Sequence, residues 1–439
     1  MPQAKQEHEK GFRAVKGMHD VLPSDQPYWD RLDAAARDIA RAYGFSRLEP
    51  PILEDADLYK KTSGETSDVV SKEMYAFRTK GGDLLALRPE YTPGTARAYL
   101  EHNLSRAGQP QKLFSMGPVF RHDRPQLGRY RQFTQIGFET VAGPNDPIYD
   151  AEIIHVFTEL LKALRIDQWK LKVNSIGCRV CRPLYKKQLT NYYKSREKEL
   201  CADCKERLAA NPLRLLDCKE ASCEALKEKA PNFLDKLCAT CAEHFKSVLE
   251  YLEEVGTMYE LESRLVRGLD YYDRTVFEFY AAGEEEALGA IAAGGRYDYL
   301  MEMIGGHLTP AVGGAAGAER LIAVMKARGI APPPRNGKRV FLAHAGSLAK
   351  RKAFGLLAEL RRQGIAVSEA LSRESLSAQL KAADKESAGL ALILGQKEIY
   401  EHSVIIRDLR TGLQEAVPRD RIAEEIKKRF ATMGHAGHQ

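Results

Sequence analysis

The sequence predicts an α/β protein in two parts: a larger domain mixing helices with strands, and a smaller C-terminal α/β domain on a mixed sheet. Three observations predict it. Segments of helical and of strand period are interleaved along the whole chain. All eight cysteines fall between Cys178 and Cys241, which marks a separate unit inserted into an otherwise cysteine-free domain. A run of three prolines, Pro332 to Pro334, cannot continue a helix, and the rhythm of the chain changes after it. The length of 439 residues, with 44% hydrophobic and 29% charged, suffices for several cores at about 150 residues per domain.

The elements follow in order. Asp30–Tyr43 carries Leu32, Ala35, Ala36, Ile39 and Tyr43 at helical spacing. Leu113–Arg121 and Gln132–Val141 alternate and are rich in β-branched and aromatic residues, so they read as strands, as does Thr275–Tyr280. Tyr149–Leu164 is a second helix, burying Ile153, Ile154, Phe157, Leu160, Leu161 and Leu164. Gly329–Gly337 reads as a linker. Beyond it come strand Val340–Ala345, helix Ala349–Gln363, strand Ala366–Ala370, helix Ser375–Ala383, and strands Leu390–Leu394 and Val404–Leu409. Thr411-Gly412 turns the chain into Gln414–Val417, and Arg419–Phe430 closes as a helix.

Composition excludes some classes of function. No apolar run approaches the roughly 20 residues needed to span a bilayer. Met1–Gly11 lacks the apolar centre of a signal peptide, so export is not expected and a cytoplasmic location is. Lys plus Arg number 66 against 60 Asp plus Glu, and Asn336–Phe430 alone holds 18 basic and 12 acidic residues. The whole excess of +6 therefore sits in the C-terminal domain. Clustered CxxC pairs in a cytosolic chain point to metal or redox chemistry before disulfides.

Four stretches can carry chemistry. Phe120–Phe133 crowds Arg121, Arg124, Arg129 and Arg131 around Pro125 and Gly128. A solvated hairpin tip would explain single charges, but crowded arginines repel unless a polyanion shares the site. Leu265–Phe279 sets the adjacent Tyr271 and Tyr272 between two Arg–Asp pairs; neighbouring strand residues face opposite sides, so one core cannot account for both rings. Gly313–Leu321 is a small-residue run leading into Glu319-Arg320, which by itself is more often close packing than a nucleotide loop. It matches neither GxxxxGK[ST] nor GxGxxG. Leu87–Pro93, preceded by Ser71–Phe77, offers a carboxylate and a hydroxyl beside a rigid turn, for which an ordinary loop is the plainer explanation.

Taken in order, these stretches resemble the histidyl-tRNA synthetases, a family of class II aminoacyl-tRNA synthetases. The resemblance runs from about Gly17 to Val417 and is weakest through the cysteine-rich insert. Its specific pieces are RGLDYY at Arg267–Tyr272, RYRQFTQIGFE at Arg129–Glu139, GGRYD at Gly294–Asp298, KEMYAF and LRPEYT. It implies a catalytic domain of 1–170 and 255–328 on a mixed, mainly antiparallel sheet of the class II type, a cysteine-rich insertion at 171–254, a linker at 329–337, an anticodon-binding domain at 338–430 and a tail at 431–439. It implies activation of L-histidine with ATP and Mg2+, transfer to the 3'-terminal ribose of tRNA(His), a homodimer formed around Pro51, and no membrane partner.

Residue roles implied by the resemblance follow position by position. Arg121 holds the ATP α-phosphate, Phe133 stacks on adenine, Asp123 and Arg129 line the ATP site, and Arg320 lies near the γ-phosphate and the base. Arg267 reaches the α-phosphate and the substrate carboxylate. Glu90, Tyr91, Thr92, Gln135, Glu139, Tyr271, Tyr272 and Tyr297 form the histidine pocket, and Gln126 and Arg131 meet the tRNA acceptor end. Attack of the histidine carboxylate on the α-phosphorus builds negative charge that Arg121 and Arg267 can meet from fixed positions. Departures from the family pattern are Asp123 where Glu is common, which lengthens a contact to adenine, and Gly314 in place of an aromatic, which is expected to loosen packing. The rival reading, a non-catalytic histidine-binding regulatory subunit of ATP phosphoribosyltransferase, typically lacks both these arginines and the C-terminal domain.

The insert pairs Cys178 with Cys181, Cys201 with Cys204 and Cys238 with Cys241 as CxxC, with Cys218 and Cys223 four residues apart. Such spacing suits one or two four-thiolate structural zinc sites, with His244 as a spare ligand; a set of reduced structural thiols is the alternative. Arg179, Arg182, Lys186 and Lys187 are available to touch an acceptor stem.

Overall fold

The structure, a computed structural model, describes residues 12–141, 143–332 and 339–435. The chain forms two compact units, Met1–Pro332 and Pro333–Gln439. Part of the expected linker (333–337) and of the expected tail (436–439) lies outside the described residues.

The first unit is built on strands β1 (Ser46–Arg47), β2 (Leu53–Asp55), β3 (Ala76–Arg78), β4 (Leu84–Leu87), β5 (Gln111–Phe120), β6 (Gln132–Val141), β7 (Trp169–Ser175), β8 (Glu260–Leu261), β9 (Asp273–Ala281), β10 (Ala290–Arg296) and β11 (Ala311–Gly317). Eight of them form one sheet in the order β1-β5-β6-β11-β10-β9-β7-β8. Its interior pairs are antiparallel and only the edge pairs β1–β5 and β7–β8 are parallel. A mixed, mainly antiparallel sheet is thus what the resemblance implied. β2, β4 and β3 make a separate small antiparallel sheet.

Period-2 alternation gives the large sheet two different faces. Phe114, Ile136, Phe138, Phe277, Phe279, Val312 and Ala316 point to one side and are buried in a core. Helices Gln26–Ala42, Ile148–Ala163, Ala239–Glu254 and Ala318–Ala327 cover that side with Leu32, Ile153, Phe157, Leu160, Val248, Leu252, Leu321 and Met325. Gly314 lies on this side too: a Cβ there would stand 2.8 Å from Phe157 and 2.9 Å from Phe277. The expected loosening at Gly314 is therefore corrected, because these two rings fill the space that an aromatic would have used. The intervening residues Gln135, Glu139, Gly313 and Glu278 face the other way, and there the cavity lies.

In the second unit β12 (Val340–His344), β13 (Val367–Glu369), β14 (Leu390–Leu394), β15 (Ser403–Asp408) and β16 (Gln414–Pro418) form a mixed sheet of order β13-β12-β14-β15-β16. Helices Ser347–Arg362, Leu376–Lys385 and Ile422–His435 match expectation, the last starting after a short turn at Arg419–Arg421 and running past the expected end at Phe430. Among the described residues no helix is long and apolar enough to cross a membrane.

Candidate active site

A cavity of about 530 Å³ opens on the polar face of the large sheet. It is bordered by Glu90, Tyr91, Thr92, Arg121, Asp123, Arg129, Phe133, Gln135, Glu139, Arg267, Tyr272 and Arg320, which are sequence-predicted site residues from four separated stretches. The physical logic of each end differs.

One end is lined by buried carboxylates. Glu139, on β6 and 2% exposed, accepts hydrogen bonds from the Thr92 hydroxyl at 2.7 Å and from the Tyr297 hydroxyl. Glu90 accepts from Ser63 at 2.8 Å and from Tyr271 at 2.6 Å. Burial pushes the Glu139 carboxyl up to about 7 and raises Glu90 as well. Tyr271 and Tyr297 thus act from behind the wall, through the carboxylates. Gly313 is what lets Glu139 sit there, since a Cβ at that position would fall 1.5 Å from its Oε2. Tyr91 borders the cavity but donates its hydroxyl to Glu49 at 2.7 Å and lies beneath the Arg88 guanidinium, 4.0 Å from the ring centroid.

The other end is cationic. Arg121 is aimed by its Nε, which donates to the Pro89 carbonyl at 2.9 Å, and its guanidinium lies 5.6 Å from the Phe133 ring centroid. Arg320 donates to the carbonyls of Gly128 at 2.8 Å and Ala290 at 2.5 Å. Burial, with the charges of Arg129 and Arg121 nearby, pushes it down to about 10. Arg121 and Arg320 face one space with no salt bridge of their own among the described residues, the arrangement an anion site needs. Arg129 pairs with Asp123 at 3.3 Å. Between the two ends Arg267 is paired with Glu278 and lies 5.4 Å from the Tyr272 ring centroid, while its buried Nε has no partner among the described residues.

Gln126 and Arg131 stand outside this wall. Gln126 closes a tight turn with Arg129, and Arg131 donates to the Asp123 carbonyl at 3.3 Å and through its backbone N–H to Gly17 at 2.7 Å. Residues that sequence reasoning missed also border the cavity: Asp68, Glu73, Glu278, Glu319, and from the cysteine-rich segment Arg214, Asp217 and Lys219. Glu278 was findable, because it alternates with Phe277 and Phe279 and so must face away from the core. Arg214, Asp217 and Lys219 carry no local signal at all.

The eight thiols fall into two sets, Cys178/Cys181/Cys238/Cys241 and Cys201/Cys204/Cys218/Cys223, with the four sulfurs of each within 4.8 Å of one another. Neighbouring sulfurs stand 3.8 Å (Cys178–Cys181, Cys181–Cys241, Cys201–Cys218) and 3.9 Å (Cys178–Cys238) apart. A tetrahedron of sulfurs about 2.3 Å from a central zinc has edges of about 3.8 Å. The donor sets fit such an ion. His244 is corrected: it is no spare ligand but bonds Asp150 at 3.3 Å, beside the buried Asp150–Arg296 ion pair. Arg179 and Arg182 are likewise engaged inside the chain, Arg179 with Glu302 at 2.5 Å and Arg182 with the Tyr272 carbonyl at 2.5 Å.

A family model described as histidyl-tRNA synthetase matches residues 17–321, and one described as an anticodon binding domain matches residues 339–429. A histidine--tRNA ligase of Dehalococcoides mccartyi is 44% identical over 419 residues, spanning 95% of this chain and 100% of that relative. One from Pelotomaculum thermopropionicum is 42% identical over 415 residues, 94% of this chain and 97% of the relative. The crystal structure of apo S. aureus histidyl-tRNA synthetase matches with a TM-score of 0.80 at 29% identity, covering 95% of this chain and 100% of that one. A Bacillus halodurans structure described as an ATP phosphoribosyltransferase regulatory subunit/histidyl-tRNA synthetase shares the fold, at a TM-score of 0.62 and 21% identity over 88% of this chain and 99% of that one.

Proposed function

This chain belongs to the histidyl-tRNA synthetase family, and on that premise we propose how its cavity activates histidine. The protein is a ligase: histidine and ATP give histidyl-adenylate and pyrophosphate, and the histidyl group then passes to the terminal ribose of tRNA(His). The single observation that carries the residue assignment is one continuous cavity with carboxylates at one end, Arg121, Arg320 and the Asp123-paired Arg129 at the other, and between them the Nε of Arg267, which has no partner among the described residues.

At the carboxylate end, Glu139 and a tyrosine hydroxyl would meet the two imidazole nitrogens, with Thr92 and Tyr297 orienting Glu139, and Glu90 and Gln135 beside them. A buried pocket of this kind rejects analogues that leave its polar atoms unpaired. At the cationic end, Phe133 offers a face to adenine and Arg320 a charge to the triphosphate. The histidine carboxylate oxygen attacks the α-phosphorus, the bond to the β-phosphate bridging oxygen breaks, and pyrophosphate departs. Arg121 and Arg267 meet the charge that develops on the non-bridging oxygens. No side chain serves as nucleophile, so the rate comes from position and preorganised charge. ATP enters as its Mg2+ complex, as a substrate.

The two thiol sets would each hold a zinc ion, which would add folding energy to the segment's buried apolar cluster. The small sheet carries exposed Leu53 and Phe77, with exposed Ile52 just before it, the apolar surface on which a homodimer would close. The basic C-terminal unit supplies cations for the anticodon arm, and the substrates place the work in the cytoplasm. Charging of bulk bacterial tRNA with labelled histidine tests this reading. Label incorporated only with histidine and ATP supports it; histidine binding without charging would favour the regulatory reading.

A further inference from the structure

The loop Arg267–Tyr272 carries the residue on which adenylation turns, and beside Glu278, Ser63 and Glu90 several of the polar groups that hold it come from the cysteine-rich segment. Arg214 donates from one nitrogen of its fork to the Gly268 carbonyl at 2.5 Å and from the other to Asp68 at 2.5 Å, and it is 8% exposed. Asn211 donates to Asp270 at 3.0 Å. Arg182 donates to the carbonyl of Tyr272. The apolar contacts tell the same story: Leu265, Val266, Leu269, Tyr271 and Tyr272 share one buried cluster with Leu208, Leu213, Leu215 and Leu216 of the insert. Cys204, Cys218 and Cys223 belong to that cluster as well.

Chain order ties this docking to the thiols. Arg214 lies between Cys204 and Cys218, in the short turn Pro212–Asp217 whose two flanks are drawn together at the second thiol set. Arg182 follows Cys181 directly at the first set, and Gly177 just before it has φ +60° with no room for a Cβ, which would fall 2.5 Å from the Cys181 sulfur.

We propose that the cysteine-rich segment is a positioning element for histidine activation: Arg214, held in register by a zinc ion at Cys201, Cys204, Cys218 and Cys223, fixes the Arg267–Tyr272 loop over the α-phosphate site. The proposal rests on the zinc reading above and adds to it a function. Arg214 acts through the loop and is a positioning residue, not a catalytic one.

Two variants of the full chain test it, with zinc counted by elemental analysis, histidine-dependent ATP–pyrophosphate exchange resolved into kcat and KM, and amide hydrogen exchange followed on the 265–272 peptide. Arg214→Lys keeps the charge but cannot span both acceptors; zinc content should stay as in the wild type while kcat falls at least tenfold and the peptide loses protection. Cys201→Ser/Cys218→Ser should lose one zinc and reproduce both effects. If that variant loses its zinc yet keeps wild-type kcat and protection, the positioning proposal falls while the zinc reading stands. If the wild type itself holds no zinc, the zinc reading falls, and wild-type kcat in Arg214→Lys would then refute the role of Arg214 as well. Should the cysteine variant not fold, Arg214→Lys alone decides.

Discussion

Replacing Arg267 by alanine has two consequences that the structure separates. The first is chemical. If Arg267 meets charge at the α-phosphate, its loss removes one preorganised donor, worth about 2.7–4 kcal/mol or about 10²–10³ in kcat. The second is structural. Arg267 is paired with Glu278, and their side chains are 18% and 14% exposed. Truncating one partner of a buried pair costs about 3–5 kcal/mol, and the residual exposure here puts the value near 3. For a unit of over 300 residues, at about 2.1 cal/mol/K per residue, that lowers Tm by about 4 °C. Arg267→Ala/Glu278→Gln removes the orphaned charge, so it should recover most of the lost Tm and none of the lost rate. Pyrophosphate exchange and calorimetry on both variants read the two terms independently. A double variant that regains exchange to within a few-fold of wild type would refute the assignment of Arg267.

Further expectations follow from particular contacts. Gly313→Ala drives a methyl into Glu139 and should raise KM for histidine at least tenfold in the exchange assay, with KM for ATP little changed. Glu139 has a folded pKa of about 7, above the ordinary carboxyl value of 4.5, so it holds its proton more tightly when folded. Its contribution to stability is thus present below pH 4.5 and fades as pH rises through 7, by up to about 3 kcal/mol. The Tm of the ligand-free wild type, measured against Glu139→Gln, should accordingly decline between pH 5 and about 8, and a rising difference would contradict the burial argument. The positive excess confined to the C-terminal unit predicts that KM for tRNA rises steeply with salt while histidine-dependent exchange, which needs no RNA, changes far less.

Much of the fold was legible where local pattern and tertiary context agree. β6 has the bounds that alternation gives it, and its apolar–polar alternation places Ile136 and Phe138 in the core and Gln135 and Glu139 in the cavity. The two-residue edge strands β1 and β8 are too short to leave a period, and the helix Gln396–Tyr400 is too short to distinguish from a turn. In the site, arginines crowded in one loop betrayed an anion because like charges repel. The grouping of the cysteines was beyond reach: three CxxC pairs and one wider pair allow several combinations, and only the turn at Pro212–Asp217 brings Cys218 and Cys223 to Cys201 and Cys204. Nor could any local pattern show that Arg214 docks on Gly268, since that contact joins residues 54 apart.

Histidine-dependent exchange of pyrophosphate into ATP is the measurement that bears most directly on the central claim, because it isolates adenylate formation from every RNA contact. The purified chain should exchange label when given histidine, ATP and Mg2+, and should not do so without the amino acid. No exchange with histidine, or faster exchange with threonine or proline, would contradict it.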